Sequence, residues 1–152
     1  TSATNTYHTH VTINAGIVHG DIYGGGLGDA SNAANVYGPV TVNIHGGEAE
    51  RVFGCNNTNG RPRQNTNHVN MDGGQVGYIY GGGNAAPYTG TPYVDMTGGT
   101  VINHVFGGGL GANAKVTGNT SVTVGGSAHV MKNVYGGGNA AEVTGNTNVV
   151  IE

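Results

Sequence analysis

Five stretches of the chain alternate aliphatic and polar residues and then close on small residues. They read Val11-Thr12-Ile13-Asn14-Ala15-Gly16, Val42-Asn43-Ile44-His45-Gly46-Gly47, Val69-Asn70-Met71-Asp72-Gly73-Gly74, Val94-Asp95-Met96-Thr97-Gly98-Gly99 and the shorter Val122-Thr123-Val124-Gly125-Gly126. A sixth opens at Val149-Val150-Ile151. A period of two belongs to a strand with one buried face. Val11, Ile13, Val42, Ile44, Val69, Met71, Val94 and Met96 are therefore predicted to point inward. Thr12, Asn14, Asn43, His45, Asn70, Asp72, Asp95 and Thr97 are predicted to point outward.

A second unit follows each of the five, an aliphatic residue, an aromatic and then glycine: Ile22-Tyr23-Gly24, Val52-Phe53-Gly54, Ile79-Tyr80-Gly81, Val105-Phe106-Gly107 and Val134-Tyr135-Gly136. By subtraction the aromatics lie 30, 27, 26 and 29 residues apart. A weaker third unit, Val116-Thr117-Gly118-Asn119-Thr120 and Val143-Thr144-Gly145-Asn146-Thr147, is degenerate at Tyr88-Thr89-Gly90 and Val36-Tyr37-Gly38. In the second repeat it dissolves into the polar stretch 56–67. Three short strands per repeat, a repeat of 25–31 residues and no helical spacer predict an all-β parallel β-helix (β-solenoid) of about five coils. Coils in such a stack lie about 4.8 Å apart, each residue over its equivalent in the next. Repeat length varies after the glycines, so the long loops are expected at 27–35 and 56–67, on one edge.

Composition changes the picture in two ways. The 152 residues include 31 Gly, 19 Asn, 19 Val and 17 Thr but only 2 Leu and no Trp. These residues disfavour helices, and they predict stability from stacked Val, Ile and Met columns with Asn and Thr ladders in place of a globular core. Charged residues make up 9%, with a net charge of −3. No basic footprint for nucleic acid exists, and no apolar run approaches the roughly 20 residues of a membrane helix. Neither nucleic acid nor membrane insertion is expected. A single cysteine, Cys55, excludes an internal disulfide framework and a Cys-based zinc site; it stands at a glycine of the second unit as a small bend residue. The whole of 1–152 is read as one solenoid domain, part of or cut from a longer array. Its last strand has an open edge, which predicts end-to-end stacking with another copy or further coils.

These repeats, V-x-I-x-G-G, V-Y-G-G-G-N and V-T-G-N-T-x-V, resemble those of large repetitive surface proteins of gut bacteria. They are more broadly similar to the right-handed parallel β-helices of adhesins, autotransporter passengers and pectin-lyase-like proteins. The resemblance covers the chain from about Thr9 onward and is specific for architecture rather than activity. It implies a right-handed winding, an extracellular or cell-surface location and contact with a glycan, or with a host or bacterial surface protein.

Candidate chemistry falls in two places. The aromatic column Tyr23, Phe53, Tyr80, Phe106, Tyr135 is either an exposed ladder on which sugar rings stack or a half-buried corner stack. Alternation from an inward aliphatic residue puts the rings outside, whereas a bend at the glycines would turn them in; free exchange of Tyr with Phe argues against a required hydroxyl. The outward face of the first strand holds His45 directly over Asp72, with Asp95 diagonal to Asp72. Two carboxylates on such a face are what a carbohydrate-cleaving site needs, though a solvated polar face reads the same way. The expected function is a non-catalytic structural or adhesive module, with the carboxylate enzyme as the alternative.

Neither metal nor cofactor is expected. Of seven histidines, only His8 and His10 share a strand face at metal-compatible spacing. Gly25-Gly26-Leu27-Gly28-Asp29 approaches a calcium β-roll motif but is not repeated, which leaves at most one loop ion at Asp29. The glycine runs lack the Lys-Ser/Thr and the helix of a nucleotide loop.

Overall fold

The structure, a computed structural model, describes residues 7–152. These residues wind into a parallel β-solenoid of about five coils, with strands and no helix among them. The first coil contributes β1 (Thr9–Ile13) and β2 (Ile17–Tyr23), and the second β3 (Val40–Ile44) and β4 (Glu48–Phe53). The third has β5 (Thr66–Tyr80) and β6 (Tyr88–Thr89), and the fourth β7 (Thr91–Val101), β8 (Val105–Phe106) and β9 (Val116–Thr117). The fifth has β10 (Thr120–Val124), β11 (His129–Val130) and β12 (Val134–Tyr135), and β13 (Thr147–Ile151) opens a sixth. The first run of strands pairs in the order β1-β3-β5-β7-β10-β13. Val11, Val42, Val69, Val94, Val122 and Val149 are register partners in turn, so the coils are 31, 27, 25, 28 and 27 residues long by subtraction.

Stacking identical columns is what builds the core. Val42, Val69, Val94 and Val122 form one buried column, Ile44, Met71, Met96 and Val124 a second, and Ile22, Val52, Ile79 and Val105 a third from the next side of the coil. Each buried aliphatic side chain contributes roughly 1.5–3 kcal/mol, and none needs to be larger than Met because the interior is one coil wide. The polar alternates of the first run stay outside, as β3 shows by its strictly alternating burial.

Glycine sets both corners. Gly47, Gly74 and Gly99 adopt φ of +75°, +77° and +80°, a region closed to most side chains. This bend does not break pairing: Gln75 N–H still donates to the Gly47 carbonyl at 2.9 Å, so β5 runs through the corner as one strand. At the second corner the constraint is proximity. A β-carbon on Gly24 or Gly54 would lie 2.5 Å from the carbonyl oxygen of Gly54 or Gly81 in the next coil, and Gly81 and Gly107 meet the Gly107 and Gly136 carbonyls in the same way.

The third side is the least regular. It carries β6 and β9, while single bridges, Val36 to Pro62 and Val116 to Val143, continue it to either end. Proline at 62 has no N–H to extend a ladder, which accounts for the lone bridge. Both long loops lie on this edge and pair with each other: Val36 N–H donates to the Arg61 carbonyl at 3.1 Å, and Asn56 Nδ2 donates to the Ala34 carbonyl at 2.7 Å.

Candidate functional site

Each aromatic of the second unit follows an inward aliphatic residue, and alternation carries its ring outside the aliphatic core. There the five rings stack. Successive centroids from Tyr23 through Phe53, Tyr80 and Phe106 to Tyr135 are 4.9, 4.7, 5.0 and 4.9 Å apart, with planes within 9° of parallel. Tyr78 and Leu110 pack beside the stack, and the Arg51 guanidinium lies 5.5 Å from the Phe53 ring centre. Phe53, Tyr80 and Phe106 are buried, at 0, 2 and 5% exposure; each has a ring on both faces. Tyr23 is half-buried and Tyr135 is 42% exposed.

Hydroxyls at the rim are tied down. Tyr23 donates to Asp21 at 3.1 Å and accepts from Asn84 Nδ2, while Asn139 Nδ2 donates to Tyr80. Burial raises the pKa of both tyrosines, offset in part by these amide donors. Arg51 closes a two-pronged contact on Asp21 at 2.8 and 2.6 Å, and this carboxylate raises the guanidinium pKa further.

On the outer face of the first run, three columns stand side by side. One is His10, Thr41, His68, Tyr93, Ser121 and Asn148; the next is Thr12, Asn43, Asn70, Asp95, Thr123 and Val150. The third includes His45 and Asp72. His45 Nδ1 lies 2.8 and 2.9 Å from the two Asp72 carboxylate oxygens. A carboxylate only accepts, so the Nδ1 proton is held there, and both side chains remain about half exposed. Asp95 pairs in register with Asn70, which places it diagonally from Asp72, about 8 Å away at ordinary coil spacing and rise. His45, Asn70, Met71, Asp72, Asp95 and Thr97 line one shallow depression of about 220 Å³. The three polar residues singled out from sequence thus meet in one place.

Sequence reasoning missed a neighbouring pair. His68 and Tyr93 stack at 5.0 Å with planes 10° apart on this same face. The signal was present, because each stands one residue before the first valine of its alternating stretch, at equivalent positions. Comparison with family models, curated proteins and solved structures finds no match to this chain.

The remaining candidates go elsewhere. His8 and His10 have ring centres 5.5 Å apart, and among the described residues no three His, Cys, Asp or Glu side chains converge as a metal would require. The Asp29 carboxylate accepts the Ser31 and Asn32 N–H groups, each at 2.8 Å, and the Asn32 amide as well, so it organises its own turn. Those bonds lower its pKa. Cys55 takes the place of Gly25, Gly82 and Gly108 in the corner ladder. Its thiol is fully buried beside Tyr88 and Val116, and burial drives its pKa upward, away from reactive thiolate. No helix among the described residues is long and apolar enough to cross a membrane.

Proposed function

We propose that this chain is a non-catalytic structural and adhesive repeat module of a secreted or cell-surface bacterial protein. It meets a glycan, a surface protein or another copy of itself through the flat outer face of the first strand run and the adjoining loop edge. The observation that carries this reading is the division of the coil. Apolar groups and ring faces are consumed inside to make a stiff rod, while the outer columns of the first run are amides, hydroxyls and imidazoles in register with sparse charge. The repeat motifs resemble those of repetitive surface proteins, which supports the same placement. Val149, Val150 and Ile151 on β13 are exposed, a surface on which a further coil or another copy would stack.

A second reading, a carbohydrate-active enzyme using Asp72 and Asp95, is favoured by the depression that brings both carboxylates together with His45. One experiment separates the two. The purified chain and its Asp72→Asn, Asp95→Asn double variant are offered a polysaccharide panel, and both binding and reducing-end release are measured. The module reading expects the parent to bind and neither protein to release reducing ends. Release by the parent that is lost in the double variant would establish the enzyme instead.

A further inference from the structure

We propose that the outer face of the first strand run carries a saccharide subsite built on Tyr93, and that its ligand is an uncharged oligosaccharide. This rests on the reading of that face as the contact surface and names what it contacts.

The column His10, Thr41, His68, Tyr93, Ser121, Asn148 runs across all six strands of this face. Only two adjacent coils supply a ring. His68 covers one face of Tyr93 at 5.0 Å, but the other face looks along the rod toward Ser121. A serine side chain has two heavy atoms and cannot span a phenol ring. Tyr93 stays partly exposed, and the ring stack has a gap at the level of Ser121, with Asn148 beyond. In the closed ladder Phe106 fills the equivalent level between Tyr80 and Tyr135. Here the chain supplies no ring, and a flat guest of similar thickness would complete the stack.

Chemistry selects the guest. The π face of Tyr93 is electron-rich and attracts the weakly positive C–H face of a pyranose. Hydrogen-bonding groups continue along the strand at about 3.3 Å per residue: Asp95 and Thr123 in the next outward column, then Asp72 and His45 in the depression. A hydroxylated chain lying across the coils meets ring, carboxylate and imidazole in that order. These columns hold three carboxylates, Asp72, Asp95 and, over Gly125, Glu152, and neither Lys nor Arg, so an acidic sugar is repelled and an uncharged one is not. In the aromatic ladder the three middle rings have no free face.

The test is binding of the full chain to an immobilised panel of short uncharged and acidic oligosaccharides, with melting temperature and circular dichroism recorded for every variant. Tyr93→Ala should weaken binding to the uncharged members about tenfold or more, and Ser121→Ala should retain it. Ser121→Tyr is the decisive variant. It loses only the serine hydroxyl, whose role the Ser121→Ala variant tests separately, extends the His68–Tyr93 stack and occupies the gap, so it should abolish binding without lowering the melting temperature. If the parent binds and both Tyr93→Ala and Ser121→Tyr bind equally well, the subsite is overturned while the contact reading stands. Selective capture of acidic members overturns the ligand class. Failure of the parent to bind any member overturns the glycan reading of the face together with this subsite.

Discussion

The ladder from Tyr23 to Tyr135 and the pair His68–Tyr93 are built by one rule, an aromatic residue recurring at the same register position in successive coils. They end in opposite states. In the ladder five consecutive partners are aromatic, so the middle rings are covered above and below, and residues two places earlier (Arg51, Tyr78, His104) and four places later (Asn84, Leu110, Asn139) close the sides. In the pair, Thr41 and Ser121 end the run after two rings, and both rings stay partly exposed. Whether a ring column becomes core or surface is thus decided by how many coils in a row continue it. Direction of the side chain matters less, since both columns point away from the aliphatic interior.

The largest expected effect tests this difference directly. Tyr80→Ala removes a ring stacked on both faces and should cost about 3–5 kcal/mol, whereas Tyr93→Ala should stay within about 1 kcal/mol of the parent, both read from urea midpoints. Equal losses at the two positions would erase the distinction. Next in size is the corner that supports the ladder. Gly81→Ala drives a methyl toward the Gly107 carbonyl, with Pro92 Cβ also 3.1 Å away, and should cost about 1–3 kcal/mol. Gly137→Ala meets nothing within 4 Å and should be nearly silent, which separates crowding from backbone entropy.

A smaller and more gradual effect concerns pH. Burial raises the pKa of Cys55 and of Tyr88. Their neutral forms are retained in the fold while the unfolded chain ionises at its usual values, about 8.5 for a thiol and about 10 for a phenol. The associated stability is fully present below those values and is lost as pH rises past them. Urea midpoints should therefore begin to fall above about pH 8.5 and fall faster above about pH 10. Cys55→Ala should remove the first part of the decline. A midpoint that stays flat to pH 10.5 would mean that neither group is shielded as described.

Much of this architecture was legible in the residues. Alternation located the aliphatic columns, and the spacing of the aliphatic-aromatic-glycine unit located the ladder, because both depend on local chain period. His45 over Asp72 followed from register alone. The burial of the ladder did not, since alternation says which way a ring leaves the core but not what closes over it. Its cover comes from Arg51, Tyr78, Leu110 and Asn139, positions whose meeting depends on the corner geometry. The third side was the hardest to read: Tyr88 stands in the column of Val116 and Val143, and its hydroxyl donates to the Gln64 carbonyl at 2.8 Å, a substitution that aliphatic periodicity does not register.

The contact of each second-corner glycine with the carbonyl of its counterpart has a consequence for how such a chain changes over generations. Every coil meets the next through the same backbone-to-backbone seam, so the seam is indifferent to which coil lies on the other side. Loss or duplication of one whole repeat restores the seam, whereas insertion of a few residues at that corner destroys it. Unequal recombination can therefore lengthen or shorten the rod, while a side chain at Gly24, Gly54, Gly81 or Gly107 would collide with the carbonyl of the next coil.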